Sequence, residues 1–130
     1  MYRKISYLIC IMTITSVHAE IPEQLKMTWR QFQECVKKND IEGVLKLTHF
    51  PIRSNEFGGN IKNSTEFKKK YSEIFTPYVI KRILTFRPEK IGTYRGYVVD
   101  CTDPDGYAIF LGFEKRNENY YFSYIDNANE

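Results

Sequence analysis

Histidine is nearly missing from this chain and cysteine is scarce, and neither falls into a pattern that carries chemistry. The histidines are His18 and His49, too few for a His-based metal cluster, and no cysteine belongs to a C-x-x-C pair. Zinc binding and dithiol redox catalysis therefore lack support, and no metal site or cofactor is implied. A Gly-rich phosphate loop, a nucleophile elbow and a paired-carboxylate motif are all lacking. Lys and Arg form no run interleaved with aromatics, so a nucleic-acid surface is not indicated. Internal repeats and low-complexity tracts are also lacking.

Long apolar runs are missing too. The uncharged stretch Ile5 to Val17 is shorter than the roughly 18 residues a membrane span requires. It fits an export leader instead. Arg3 and Lys4 precede it, and Val17-His18-Ala19 places compact residues three and one before a cut ahead of Glu20. Residues 1–19 are thus expected to be a cleaved signal peptide, and residues 20–130 a single domain without a membrane span, periplasmic or secreted. Losing Arg3 and Lys4 lowers the net charge by two from the +3 of the whole chain. Charge is unevenly spread: residues 20–90 carry a net +5 and residues 91–130 a net −4. Cys35 and Cys101 remain in the mature chain. In an oxidising compartment they either form one disulfide, worth about 4 kcal/mol by loop closure, or stay as two separate buried thiols.

The first part of the domain reads as helices. Leu25, Trp29, Phe32 and Cys35/Val36 recur at helical spacing over residues 22–38, with Pro22 suited to the first turn. Asn39-Asp40 breaks that pattern and caps a short helix, Ile41 to Thr48, weakened by Gly43. His49 to Arg53 reads as a short edge strand, because Pro51 holds its predecessor extended. Asn63-Ser64-Thr65-Glu66 has capping-box spacing and opens a helix to about Thr76, with Phe67, Tyr71, Ile74 and Phe75 inward and Lys68, Lys69 and Lys70 solvated. The same Asn63-Ser64-Thr65 is a glycosylation sequon, a use that the cap makes unnecessary. Pro77 starts a further helical turn, Tyr78 to Leu84.

After Lys90 the period falls to two. Tyr94 to Cys101, Tyr107 to Glu114 and Tyr120 to Asp126 read as three strands of an antiparallel meander, separated by the turn Thr102 to Gly106 and the polar loop Lys115 to Asn119. Both faces of the middle strand are largely apolar, which marks it as central. Strict alternation puts Tyr120, Phe122 and Tyr124 on one face of the last strand and Tyr121, Ser123 and Ile125 on the other.

The run Phe32, Val36, Asp40, Val44-Leu45, then Phe50-Pro51-Ile52, then Glu66-Phe67, Tyr71, Ile74-Phe75 and Ile83 resembles a pattern of small exported bacterial proteins with NTF2-like (cystatin-like) α+β folds. The likeness covers roughly residues 28–84. It implies N-terminal helices packed on a curved antiparallel sheet that wraps a cone-shaped cavity, and it carries no catalytic residue. The single strand before Gly58-Gly59 implies a sheet with fewer strands than a full cone, and a small or filled cavity.

Tyrosine is the abundant feature. Tyr71, Tyr78, Tyr94, Tyr97, Tyr107, Tyr120, Tyr121 and Tyr124 lie beyond the leader, six of them in or beside the last three strands. Tyrosine offers contact area with a polar tip and is common at interfaces, although strand propensity alone also accounts for it. The expected function is a non-catalytic binding module, with Tyr94, Tyr97, Tyr107, Tyr120, Tyr121 and Tyr124 as contact residues for a protein partner or a small apolar ligand. An immunity-type inhibitor of a toxin is one concrete form, and a homodimer is a further option. The alternative is a small enzyme using Tyr97 and Asp100, with His49 nearby, for proton transfer in the cone-shaped pocket.

Intact-mass measurement of the protein recovered from a secreting host is expected to begin at Glu20. A chain that keeps Met1 to Ala19 overturns the export expectation.

Overall fold

The computed structural model describes residues 20–129, so the leader expected at residues 1–19 lies outside the described residues. Four helices and a four-stranded sheet make up the described chain: α1 (Glu23–Lys37), α2 (Ile41–Lys46), β1 (Thr48–Ser54), α3 (Ser64–Ile74), α4 (Pro77–Thr85), β2 (Tyr97–Asp100), β3 (Ile109–Arg116) and β4 (Asn119–Asn127). The fold is mixed α+β, with the helices packed on one face of a curved, unclosed sheet.

Local chemistry accounts for the helix ends. Asp40 accepts the Gly43 amide at 2.9 Å, Asn63 accepts the Glu66 amide at 3.0 Å, and Thr76 accepts the Val79 amide at 3.2 Å. Glu66 reaches back as its spacing suggests, but one residue further than a capping box, to the Lys62 amide at 2.9 Å. Asn39 ends the first helical unit in the left-handed region, which Asn tolerates better than most residues.

The strand order is β1-β4-β3-β2. β2, β3 and β4 pair antiparallel in succession, but β1 runs parallel to β4, so the sheet is mixed and not antiparallel throughout. The two helices between β1 and the later strands return the chain so that β1 can lie beside β4. Pro51 lacks an amide donor, and the β1–β4 register is interrupted between Thr48 and Arg53. On the outer edge of β1, among the described residues, Ile52 forms an isolated bridge with Ile61.

The core lies between helices and sheet. Leu25, Trp29, Phe32 and Val36 of α1 meet Phe67 of α3, Phe75, and the inward residues Leu111, Phe113 and Phe122 of the sheet. Phe32 is at the centre, with its ring centroid 5.1 Å from Phe113, 5.7 Å from Phe122 and 6.0 Å from Phe75. Edge-to-face contacts of this kind add to what area burial alone supplies. The space that a cone-shaped cavity would occupy is therefore filled by rings.

Tyr97, Val99 and Cys101 do share a face, and it is the one turned to the helices. Strict alternation fails in β4. Gly112 pairs with Tyr124 and Phe113 with Phe122, which leaves Ser123 as an extra, unpaired residue. This bulge changes the phase, so Tyr120, Phe122 and Ile125 join the core, while Tyr124 turns to the other face beside Ser123.

Urea unfolding is expected to rank two substitutions. Phe32→Ala removes the central ring and costs about 3–5 kcal/mol. Asn63→Ala removes one cap and costs about 1 kcal/mol. An equal loss from both would contradict the central place given to Phe32.

Candidate functional site

The sheet face turned away from the helices carries a polar network, and each member is there for a structural reason. Ser123 is 1% exposed, so its hydroxyl requires a partner, and it donates to Glu114 Oε1 at 2.6 Å. Glu114, next in outward phase on β3 after Gly112, is partly buried and is neutralised by an ion pair with Arg53 of β1. The Arg53 guanidinium also lies over the Tyr124 ring, 5.2 Å from its centroid.

Tyr124 is held at both ends. A Cβ on Gly112 would fall 2.2 Å from the Tyr124 ring, so only glycine lets the ring lie flat on β3. At its tip the hydroxyl donates to the Arg95 carbonyl at 2.7 Å, which ties β4 to the loop before β2. That loop approaches β3 so closely at Gly96 that a Cβ would meet the Phe113 carbonyl at 2.2 Å, and the Gly96 φ of +62° suits glycine. The approach brings Tyr94 over Phe110, with centroids 5.1 Å apart, and its hydroxyl donates to Asp126 Oδ2 at 2.5 Å.

Between these elements lies a pocket of about 450 Å³, lined by Arg53, Asn60, Thr93, Tyr94, Arg95, Tyr124 and Asp126 among others. A smaller one of about 270 Å³ sits between α1 and the start of β4, beside Gln24, Met27 and Lys46. The hydrogen bond to Asp126 pushes the Tyr94 hydroxyl up to about 12, helped by burial. Burial, followed by the nearby Glu114 charge, pushes Tyr124 up to about 12. Both stay protonated across the neutral range and serve as hydrogen-bond donors, not bases.

The expected contact residues divide among several places. Tyr94 and Tyr124 come together in the larger pocket. Tyr97 and Tyr120 meet at the core edge, 6.0 Å between centroids, with Lys90 Nζ 5.3 Å from the Tyr97 ring. Tyr121 faces His49 at 6.4 Å. Tyr107 is exposed and its hydroxyl donates to Glu56. The six tyrosines therefore form no single aromatic surface.

Tyr97 and Asp100 are not brought together either. They take opposite faces of β2, and the Asp100 carboxylate is used locally, accepting the Thr102 amide at 2.9 Å and the Thr102 hydroxyl at 2.5 Å. His49 is remote from both along the sheet, on β1 at the opposite edge, and its Nδ1 is buried without a partner.

Cys35 and Cys101 are both free, so the bridge offered as one reading of the sequence is not formed. Both face the core side but belong to different neighbourhoods. Cys35 lies beside Gly43, Asp40 and Tyr71, whereas Cys101 lies near Arg82 and Asp100. Burial raises both thiols, Cys101 to about 12, which makes them poor nucleophiles.

Arg53, Glu114, Ser123, Arg95 and Asp126 were not singled out from the sequence. The available signal was Glu114 in outward phase on an apolar strand, and a serine that breaks the apolar phase between Phe122 and Ile125. Among the described residues, no group of three or more His, Cys, Asp or Glu is placed to hold a metal ion, and no helix is long and apolar enough to cross a membrane. No family model and no curated protein matches the chain.

Absorbance titration of tyrosine is expected to leave two residues, Tyr94 and Tyr124, ionising near pH 12, against an ordinary value of 10.0. A raised folded pKa stabilises the fold below the unfolded value and is lost as pH rises through the folded one, so stability should decline between pH 10.0 and about 12. Asp126→Asn should return Tyr94 toward its ordinary value. Gly112→Ala should do so for Tyr124, at a cost of about 1–3 kcal/mol. Unchanged titration in both variants would contradict this geometry.

Proposed function

We propose that the protein is an exported, non-catalytic binding module of NTF2-like build that takes its ligand on the outer face of the sheet. The build is supported by helices on one face of a curved sheet and by a first strand that returns beside the last. A toxin-blocking role is the concrete form that small exported single domains of this kind suggest, and it rests on that analogy alone.

The observation that carries the reading is the preformed pocket of about 450 Å³. Its size falls in the range of roughly 300–1,000 Å³ typical of ligand sites. Its aromatic walls are fixed before any ligand arrives, because both tyrosine hydroxyls and the Arg53 guanidinium already have partners. Walls fixed in this way lower the entropy cost of binding. The lining mixes aromatic rings with guanidinium, amide and carboxylate groups, which favours a ligand with polar groups over the small, wholly apolar one that a cone-shaped interior would take.

Catalysis is the weaker reading. The raised tyrosines are poor bases, Asp100 is occupied by Thr102, and Asp126 already accepts from Tyr94 and Asn55. No nucleophile stands beside a free base in the pocket.

Amide chemical-shift mapping with a library of small polar fragments tests the proposal. Shifts should cluster on Asn60, Thr93, Arg95, Tyr124 and Asp126, and Tyr124→Ala should abolish them. Fragments that cluster beside Gln24 and Met27 instead, or none that bind, would overturn it.

A further inference from the structure

The donors and acceptors of the outer-face pocket are unbalanced. Its carboxylate and side-chain amide oxygens each already accept a hydrogen bond from the fold. Asp126 takes the Tyr94 hydroxyl on one oxygen and the Asn55 amide group on the other, at 2.5 and 3.3 Å. Glu114, which is not part of the lining, takes both Arg53 and Ser123 on Oε1. The Asn60 side-chain carbonyl oxygen accepts the Ser54 amide at 2.9 Å, and the Arg95 carbonyl accepts the Tyr124 hydroxyl.

The donors are in surplus. Arg95 is exposed and, among the described residues, makes no ion pair. Arg53 meets Glu114 through one nitrogen and lies against the Tyr124 ring, so the other edge of its guanidinium keeps its N–H groups. Among the described residues, the Asn60 amide nitrogen and the Thr93 hydroxyl make no hydrogen bond. Arg53, Asn60, Thr93 and Arg95 all line the same pocket. A surplus of donors, two of them on guanidinium groups, matches a ligand that brings acceptors and negative charge, and a carboxylate fits the planar guanidinium edge in bidentate fashion.

We propose that the outer-face pocket binds a carboxylate-bearing ligand through Arg95, the free edge of Arg53, Asn60 and Thr93. This rests on the reading of the pocket as a binding site and adds the chemistry of its occupant. The carboxylate can come from a small free acid or from an acidic side chain on a polypeptide.

Three probes of matched length and different charge decide the question: succinate, succinamide and butane-1,4-diamine, each titrated at low salt while the pocket amides are followed by NMR. Succinate is expected to shift Asn60, Thr93 and Arg95, and the shifts should weaken as salt is added. Arg95→Gln should weaken succinate about tenfold, and Arg95→Lys should weaken it less. Late ionisation of Tyr94 and Tyr124 in each variant reports that the pocket is intact.

Succinamide or the diamine shifting the same amides as strongly as succinate would overturn the carboxylate assignment and leave the binding site standing. No shift in the pocket with any of the three would remove both. An end-blocked peptide with two adjacent glutamates separates the sources. Tighter binding than succinate assigns the site to an acidic polypeptide segment, and weaker binding assigns it to a free acid.

Discussion

Phe122 and Tyr124 are two positions apart in β4 yet lie on opposite faces of the sheet, because Ser123 is one residue too many for the pairing with β3. An uninterrupted strand would send Tyr124 into the core and Ile125 out. With the bulge, Ile125 completes the core and Tyr124 covers Gly112 from outside. The remaining network follows in order. The unpaired Ser123 is buried and requires an acceptor, which Glu114 supplies. A partly buried carboxylate requires a cation, which Arg53 supplies. Arg53 then rests on the Tyr124 ring, and the pocket acquires a charged wall.

Much of the helical half was legible because its signals are local. Asn63, Asp40 and Thr76 cap helices through bonds that span three residues, and the inward stripe of α1 follows from a period of 3.6. A period of two puts Tyr97, Val99 and Cys101 on one face, but that this face is the inner one is decided by how β2 packs beside β3 and under the helices. What failed was non-local. Nothing near Thr48–Ser54 says that this strand will run parallel to the last one, since that pairing is decided by how the intervening helices bring the chain back. Tyr94 was read as part of β2, but the left-handed turn at Gly96 stops the strand and turns Tyr94 over Phe110.

The site was legible only in part for the same reason. Tyr94 and Tyr124 were marked by residue type, but their partners come from β1, β3 and the loop before β2, which no sequence spacing connects. Counting alternate residues along β4 put Tyr124 with Phe122, and one unpaired serine was enough to reverse it. The thiols show the complementary limit. Cys35 and Cys101 are both on the core side and both free, each among different neighbours, so a shared side of the sheet does not by itself make a bridge.

The filled interior and the outer pocket are linked. Phe32, Phe67, Phe75, Phe113 and Phe122 pack ring against ring under the sheet. The same rings make β3 and β4 a stiff platform, because a close-packed core transmits little give. A stiff platform suits recognition on its far side, where the cost of ordering Tyr94, Tyr124 and Arg53 is met during folding, before a ligand binds. On that side Ser123 and Tyr124 are themselves buried, and their hydroxyls are spent on Glu114 and on the Arg95 carbonyl, so the groups that shape the pocket are held by bonds within the fold. The packing that seals the core on one face thus also holds the polar groups of the opposite face in place.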